Sequence, residues 1–208
     1  MAMQATGYNK HMKAVRLIPY SPLPCLHDID LCVQFALSQG HRLQLSYQLT
    51  GDLRTTLIPP LNSSPQRKDG LWQHLCFEAF IKPEAGLAYW EFNFSPSGDW
   101  AIYRFDDYRT GMTAPTLMTP PALRISPTPL TTRADEHSSL SLTVEIDLAQ
   151  LDPSLATPRL QLALASVIET RRGELSCWAG HHPTDKPDFH HPGSFTQHLY
   201  LPAQEPSP

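Results

Sequence analysis

Charged side chains are scarce in this sequence. Asp, Glu, Lys and Arg together make up 17% of its 208 residues, and the formal net charge is −4. A surface that binds nucleic acid or an anionic membrane needs a concentration of Lys and Arg, and the sequence shows none. No apolar run approaches the roughly 18 residues of a membrane-spanning helix. The composition therefore argues against nucleic-acid and membrane partners, and it leaves the oligomeric state open.

The sequence also contains no closely spaced cysteines, and its first residues predict no secretory signal. The four cysteines, Cys25, Cys32, Cys76 and Cys177, are widely separated and form no CxxC motif. Their spacing argues against a zinc knuckle or a thioredoxin-type site. The first residues contain no apolar stretch of the kind found in secretory signals. We expect reduced cysteines that serve mainly as small core residues, in a cytoplasmic protein.

The common catalytic motifs do not occur. Ser95 and Ser97 are not part of a GxSxG nucleophile motif, and no Gly-rich phosphate-binding loop is present. Glu78 and Glu91 offer a carboxylate pair of the kind that glycosidases use. Two carboxylates on neighbouring strands more often have separate partners, so a non-catalytic role is favoured and an enzyme is left as an alternative.

Proline, in contrast, is abundant, and it divides the chain into short segments. The 21 prolines are about double the usual share of roughly 5%. Between their clusters the dominant period is two, as in Leu43, Leu45, Tyr47 and Leu49, which predicts strands. A helix capped by Asp28 competes over residues 27–38, but strict alternation favours a strand there. Further strands are predicted at 14–18, 75–82, 88–95, 99–105, 122–126, 139–147, 160–168, 174–179 and 195–201.

These segments predict an all-β fold, a two-sheet antiparallel β-sandwich of jelly-roll-like form with about eleven strands. We expect a single domain over residues 13–202, with flexible termini at 1–12 and 203–208. Residues 59–70 are expected to form a mobile surface loop.

Residues 70–105 hold three of the four tryptophans and several polar residues between aromatic ones. Alternation places Glu91 and Asn93 on one face of their strand and Trp90 on the other, and it places Glu78 opposite Phe77. Which face turns inward is undecided by alternation alone. A sheet face that offers carboxylate, amide, guanidinium (Arg104) and aromatic groups suits a polyhydroxylated ligand.

The segments "LWQHLCFEAFI…YWEFNFSPSGDW" and "CWAG…KPDFHHPGSF" resemble the DOMON-like relatives of family-9 carbohydrate-binding modules. The resemblance implies a β-sandwich in which two tryptophans from separate loops clamp a terminal sugar, and Trp72 and Trp178 best match that clamp. The matching positions are Trp72, Glu78, Tyr89, Glu91, Ser95, Pro96, Gly98, Trp178, Asp188, Phe189, His190, Pro192 and Phe195.

Two adjacent histidine pairs near the C-terminus raise the alternative of a metal site. His190 and His191 point in opposite directions in an extended chain, so both cannot easily bind one zinc ion. Zinc would need further ligands from His181, His182, Asp185 or Asp188. We favour instead one histidine that bonds a buried carboxylate, Asp188 or Glu78, with its neighbour facing a cleft. Calcium at Asp99, Asp106 and Asp107 is a weaker alternative.

The leading hypothesis is a non-catalytic module that binds a small polar ligand, a saccharide, stacked on tryptophan, with no cofactor. Haem binding through Met112 or Met118 with a histidine, as in some DOMON relatives, is one alternative. The others are a metal-dependent enzyme built on the histidines and a purely structural or partner-binding module. The predicted ligand-binding residues are Trp72, Glu78, Glu91, Asn93, Arg104, Trp178, His182, Asp188, His190 and His191.

Overall fold

The computed structural model describes residues 12–115, 120–127 and 138–201, and within them eleven strands form one continuous sheet. Within the same residues, helix is confined to one turn, α1 (Leu148–Leu151), and to short 3-10 segments, among them Leu71–Gln73. The strands are β1 (Lys13–Pro19), β2 (Asp30–Ser38), β3 (Arg42–Gly51), β4 (Cys76–Pro83), β5 (Tyr89–Phe94), β6 (Trp100–Phe105), β7 (Ala122–Pro127), β8 (Ser138–Asp147), β9 (Arg159–Glu169), β10 (Leu175–Ala179) and β11 (Gln197–Tyr200).

The order of pairing divides the sheet into two halves that share β1. The order is β6-β5-β4-β9-β10-β1-β2-β3-β8-β7, and β11 pairs with β9 beyond the end of β10. All pairs between these strands are antiparallel. Strand β1 pairs with β10 through Ile18 and Pro19 and with β2 over Lys13–Leu17. Since one strand belongs to both halves, the sheet curls without a break.

The main core lies between the inner faces of the two halves. In β3, Leu43, Leu45, Tyr47 and Leu49 are buried while the residues between them are not fully buried, as the alternation predicts. The Tyr47 ring stacks on Phe77 of β4, with 5.0 Å between centroids. The Tyr47 hydroxyl donates to the Glu78 carbonyl oxygen at 2.8 Å. These contacts bind β3 to the strand that carries a predicted site residue.

Strands β4 and β5 are buried on both faces. Alternation alone leaves open which face of these strands turns inward, and the structure shows that both are covered. Every residue of β5 is buried, and six consecutive residues of β4 are. Trp90, Phe92 and Phe94 point into the main core. The opposite face of the same strands belongs to a second, smaller apolar cluster that includes Phe80 and Tyr89. We call this opposite side of β4, β5, β6, β9 and β10 the outer face.

The predicted all-β architecture with about eleven antiparallel strands is confirmed. The segment 27–38 contains strand β2 and no α-helix. A two-sheet jelly-roll-like sandwich stays a prediction, since the pairing forms one curled sheet. The predicted flexible ends, 1–12 and 203–208, lie outside the described residues except for Met12.

The loop 59–70, expected to be mobile, is tied along the edge of the sheet. Asp99, which is buried, accepts hydrogen bonds from the Asn62 amide side chain at 3.0 Å and from the Gln66 backbone N–H at 3.1 Å. The Trp100 N–H donates to the Gln66 carbonyl, and the Lys68 N–H donates to the Trp100 carbonyl. The buried Asp99 carboxylate thus holds the loop at two points. The composition of the loop does not predict these hydrogen bonds.

No helix within residues 12–115, 120–127 and 138–201 combines the length and the apolar character needed to cross a bilayer.

Candidate functional site on the outer face

The polar residues of the outer face lie in two rows that cross the strands. Register places Asn93 opposite Ala101 and Glu78, and Glu78 opposite Ala165. The next row runs Tyr103, Glu91, Phe80 and Ala163. Glu78 and Glu91 are therefore diagonal neighbours on adjacent strands, about 7–8 Å apart at the Cα positions. Two carboxyls, an amide and aromatic rings converge here on a floor of alanines.

Residues 186–195, which we call the cover segment, pack onto this face. Phe195 is buried in the outer cluster and Phe189 packs against it. The His190 ring makes edge contacts with Phe80 at 5.0 Å and with Phe105 at 5.2 Å between centroids. The motif "PDFHHPGSF" thus supplies apolar side chains that close the face and a histidine that reaches its polar centre.

Asp188 fastens the cover segment to the loop that follows β6. Its carboxylate accepts hydrogen bonds from the Tyr108 hydroxyl at 2.6 Å and from the Arg109 guanidinium at 2.9 Å. Burial alone would raise the pKa of Asp188, but these two hydrogen bonds and the Arg109 charge outweigh it, so the pKa is lowered. Asp188 is thus an ionised anchor. Tyr108 and Arg109, in contrast, reach the surface.

A chain of hydrogen bonds leads from this loop to Glu91. The Arg109 backbone N–H donates to the Tyr89 oxygen at 3.2 Å, and that hydroxyl lies 2.8 Å from His190 Nδ1. If Tyr89 donates to Nδ1, the imidazole carries its proton on Nε2, which faces Glu91 Oε2 at 3.7 Å. This tautomer, assigned from the network, directs the Nε2–H at the carboxylate, at a distance longer than a hydrogen bond.

His190 is neutral in this setting. Burial, together with the positive charge of Arg109, lowers the pKa of its imidazole to about 4. The contact with Glu91 lies within ion-pair distance, but a neutral ring makes it a polar contact. Burial also raises the pKa of Tyr89 to about 12, so its hydroxyl stays protonated and able to donate.

Glu91 is held from its other side by Asn93. The Asn93 amide donates to Glu91 Oε1 at 2.7 Å, while the Cys76 thiol lies 3.5 Å from the Asn93 side-chain oxygen. The pKa of Glu91 is raised, because burial outweighs the Asn93 hydrogen bond and the Arg109 charge, which lower it. One Glu91 oxygen therefore accepts a hydrogen bond, and the other faces the His190 ring.

The Glu78 carboxyl has no hydrogen bond comparable to the one that Asn93 donates to Glu91. Its side chain is 2% exposed, and Oε1 has no hydrogen-bond partner among the described residues. Burial, and then the negative charge of Glu91, raises the pKa of Glu78 well above its usual range. A buried oxygen without a partner costs about 1–3 kcal/mol, which a fold tolerates more readily where a ligand supplies the partner.

The rim of the face carries the exposed Trp72. Leu71, beside it, is buried in the outer cluster, and the indole of Trp72 is 51% exposed. Three residues earlier, Asp69 accepts a hydrogen bond from the Tyr103 hydroxyl at 2.6 Å and pairs with Arg67 at 2.8 Å. The Arg67 guanidinium lies 5.4 Å from the Tyr103 ring centroid. An aromatic plane, a carboxylate and a guanidinium thus adjoin the edge of the outer face.

The structure brings together six of the predicted site residues on or beside this face. Glu78, Glu91 and Asn93 lie on its floor, His190 and Asp188 come from the cover segment, and Trp72 stands at the rim. His191 lies at its edge, with Nδ1 accepting from the Gly193 N–H and its ring near Tyr108.

Three predicted residues do not reach the outer face. Trp178 points into the main core, is 4% exposed and donates its indole N–H to Ser176 at 3.0 Å. Arg104 lies on the inner side of β6, where its guanidinium sits 5.5 Å from the Trp90 ring centroid. His182 bonds the Ile18 carbonyl of β1. The predicted clamp formed by Trp72 and Trp178 is therefore wrong, because the alternation of side chains along β10 places Trp178 on the opposite side of the sheet.

The residues named for metals and haem are spread apart. No group of three or more His, Cys, Asp or Glu side chains in the described ranges stands close enough to hold a metal. Asp99 holds the 59–70 loop, whereas Asp106 pairs with Arg104. Met112 is exposed, and Met118 lies outside the described residues.

Several residues of the network were missed by sequence reasoning. Tyr103 shares the parity of Phe105 on a predicted strand, so its place on the outer face was open to prediction. Tyr108, Arg109, Arg67 and Asp69 lie in loops. No periodicity relates them to the strands, and only the folded chain brings them beside Asp188 and Tyr103.

Replacement of Glu78 by methionine is expected to raise the free energy of unfolding by about 1–3 kcal/mol, because it removes a buried oxygen that has no partner and keeps the volume similar. Urea unfolding at neutral pH measures the change. Glu145→Met is the matched control, since the Glu145 carboxylate is partly exposed and accepts from Arg42 and Gln44. A loss of stability in Glu78→Met would mean that the carboxyl has a stabilising partner.

Comparison with known proteins adds one observation about the fold. No protein-family model matches the chain, and no curated protein matches its sequence. The crystal structure of a "putative carbohydrate-binding protein" from Bacteroides uniformis ATCC 8492 superposes with a TM-score of 0.62 at 13% sequence identity. The superposition covers 92% of this chain and 86% of that one. The two chains share a fold. At this identity the likeness concerns the fold alone, and a relation to DOMON domains or family-9 modules stays a prediction.

Proposed function

We propose that this protein is a non-catalytic binding module for a small polar ligand, a saccharide, held at the outer face with Trp72 as the stacking plane. The observation that carries the proposal is the position of Trp72. Its half-exposed indole follows Leu71, which is buried in the apolar cluster of the outer face. A half-exposed indole offers a flat apolar plane on which the apolar face of a sugar ring can stack.

The chemistry of the rim and floor supports a sugar over an apolar ligand. A pyranose presents an apolar face, which stacks on an indole, and a ring of hydroxyls, which both donate and accept hydrogen bonds. Asp69, Glu91 and Asn93 accept, while Arg67, Arg109 and Asn93 donate. The fold shared with the "putative carbohydrate-binding protein" is consistent with this role. Trp178 is not part of the proposed site, so the stacking is one-sided.

Replacement of Trp72 by alanine is expected to weaken saccharide binding at least tenfold, about 1.4 kcal/mol, and to leave stability within about 1 kcal/mol because the indole is already half in water. Calorimetric titration with glucose, galactose, mannose, xylose and cellobiose, each to millimolar concentration, measures the affinity.

Leu87→Ala is the matched control, since Leu87 is also exposed and lies in the turn between β4 and β5. It should bind as the wild type does. If no sugar of the panel binds the wild type, or if Trp72→Ala binds with unchanged affinity, the proposal is wrong.

A further inference from the structure

We propose that Glu78 and Glu91 hold a single proton between them, carried by Glu78, and that the outer face binds one hydroxyl group of an uncharged ligand between the neutral acid and the anion. This inference rests on the proposed function for the nature of the ligand. The placement of the proton stands on the geometry of the unliganded site.

The contacts around Glu91 favour it over Glu78 as the anion of the pair. Asn93 donates to one of its oxygens at 2.7 Å, and the Nε2 side of His190 faces the other at 3.7 Å. The Arg109 positive charge also acts on Glu91. Burial still raises the pKa of Glu91, but these contacts favour its ionised form over that of Glu78, which has none of them.

The surroundings of Glu78 favour the acid form. Its neighbour in register on β9 is Ala165, and no donor in the described part of the chain bonds Oε1. An ionised carboxylate here would be buried without a donor at that oxygen and would stand diagonal to a second negative charge. Two carboxyls so placed cannot both ionise cheaply, and the less supported one keeps the proton.

The other titratable groups that face the pair do not remove this asymmetry. From the strands come Tyr47, Cys76, Tyr89, Tyr103 and Cys177, each with its pKa raised mainly by burial and therefore uncharged at neutral pH. From the two loops come Arg109, Asp188 and His190. Arg109 and Asp188 pair with each other, and His190 is neutral. Among the described residues, Glu91 is thus the one net charge at the centre.

A singly protonated pair matches the hydrogen bonding of an alcohol. A sugar hydroxyl donates its hydrogen to Glu91 and accepts one from Glu78, so both partners are satisfied only while Glu78 keeps its proton. Ionisation of Glu78 removes the donor and adds a second negative charge. Ligand entry requires the cover segment to move. The hydrogen bonds that Tyr108 and Arg109 donate to Asp188 of this segment lie near the surface.

The protonation state is tested without any ligand by carbon-13 NMR of glutamate side-chain carboxyls across a pH titration. The expected result is one carboxyl that still shows the shift of a protonated acid at pH 7, with its signal absent from Glu78→Gln. In Glu91→Gln that same carboxyl should titrate at lower pH, because the neighbouring charge is gone. Glu174→Gln, at an exposed position, is the control. A Glu78 signal that titrates near pH 4.5, or a protonated signal that belongs to Glu91, would overturn the inference.

A second experiment measures how pH changes the affinity for a sugar of the panel that binds the wild type. Affinity should fall as pH rises above the Glu78 titration, by up to about tenfold per pH unit, and Glu78→Gln should show no such fall. A wild-type affinity that is independent of pH through that titration would contradict the hydroxyl bridge. If no sugar binds, the proposed function fails, and the carboxyl shifts still decide where the proton lies.

Discussion

Replacement of Trp178 by alanine is expected to lower the free energy of unfolding by about 3–5 kcal/mol. The indole is almost wholly buried in the main core, and its N–H bonds Ser176. Alanine would leave a cavity between the halves of the sheet, at a strand that pairs with both β9 and β1. Urea or thermal unfolding measures the loss.

The Trp72→Ala variant is the matched control for this prediction. Both substitutions remove an indole, but Trp72 is half in water while Trp178 is buried, so only the latter should unfold much more easily. Trp178→Phe, which keeps most of the apolar volume, should recover a large part of the loss. Should Trp178→Ala be as stable as the wild type, the indole would not be a core residue, and a clamp with Trp72 would again be open.

The buried His190 should make the fold sensitive to acid. In the unfolded chain an imidazole binds its proton below about pH 6.5, whereas in the folded protein burial and Arg109 lower its pKa to about 4. Between these values the unfolded state holds more protons, so acid favours unfolding. The contribution is complete above pH 6.5 and is lost as pH falls towards 4. Over this window the loss amounts to about 3 kcal/mol.

Comparison of the wild type with His190→Gln isolates this contribution from other groups. Glutamine can accept from the Tyr89 hydroxyl and donate to Glu91, but it does not titrate. The stability difference between the two proteins should therefore shift by about 3 kcal/mol in favour of the variant from pH 7 to pH 4. His27→Gln, at an exposed position, is the control. If the stability difference between the two proteins stays constant across this range, His190 binds its proton as readily in the folded protein as in the unfolded chain, and the prediction is wrong.

Alternation predicted the sides of the strands correctly but not their surroundings. Glu78 was separated from Phe77, and Glu91 from Trp90, as in the structure. Both sides of β4 and β5 proved to be buried, because the cover segment closes the outer face. The same parity rule applied to β10 puts Trp178 beside Ser176 and opposite Ala179. The prediction that Trp178 belongs to a sugar clamp came from the resemblance to family-9 carbohydrate-binding modules and not from the alternation.

The sequence by itself determined the strand segments and the two sets of side chains on each, because a strand turns successive residues to opposite sides whatever surrounds it. It also supplied the histidine, carboxyls and exposed tryptophan of the candidate site. Only the tertiary structure decided which set is covered, that Asp188 meets Tyr108 and Arg109, and that Glu78 Oε1 has no partner. The physical reason is that burial and hydrogen bonding depend on segments about 80 residues apart in the chain, whose approach no local period encodes.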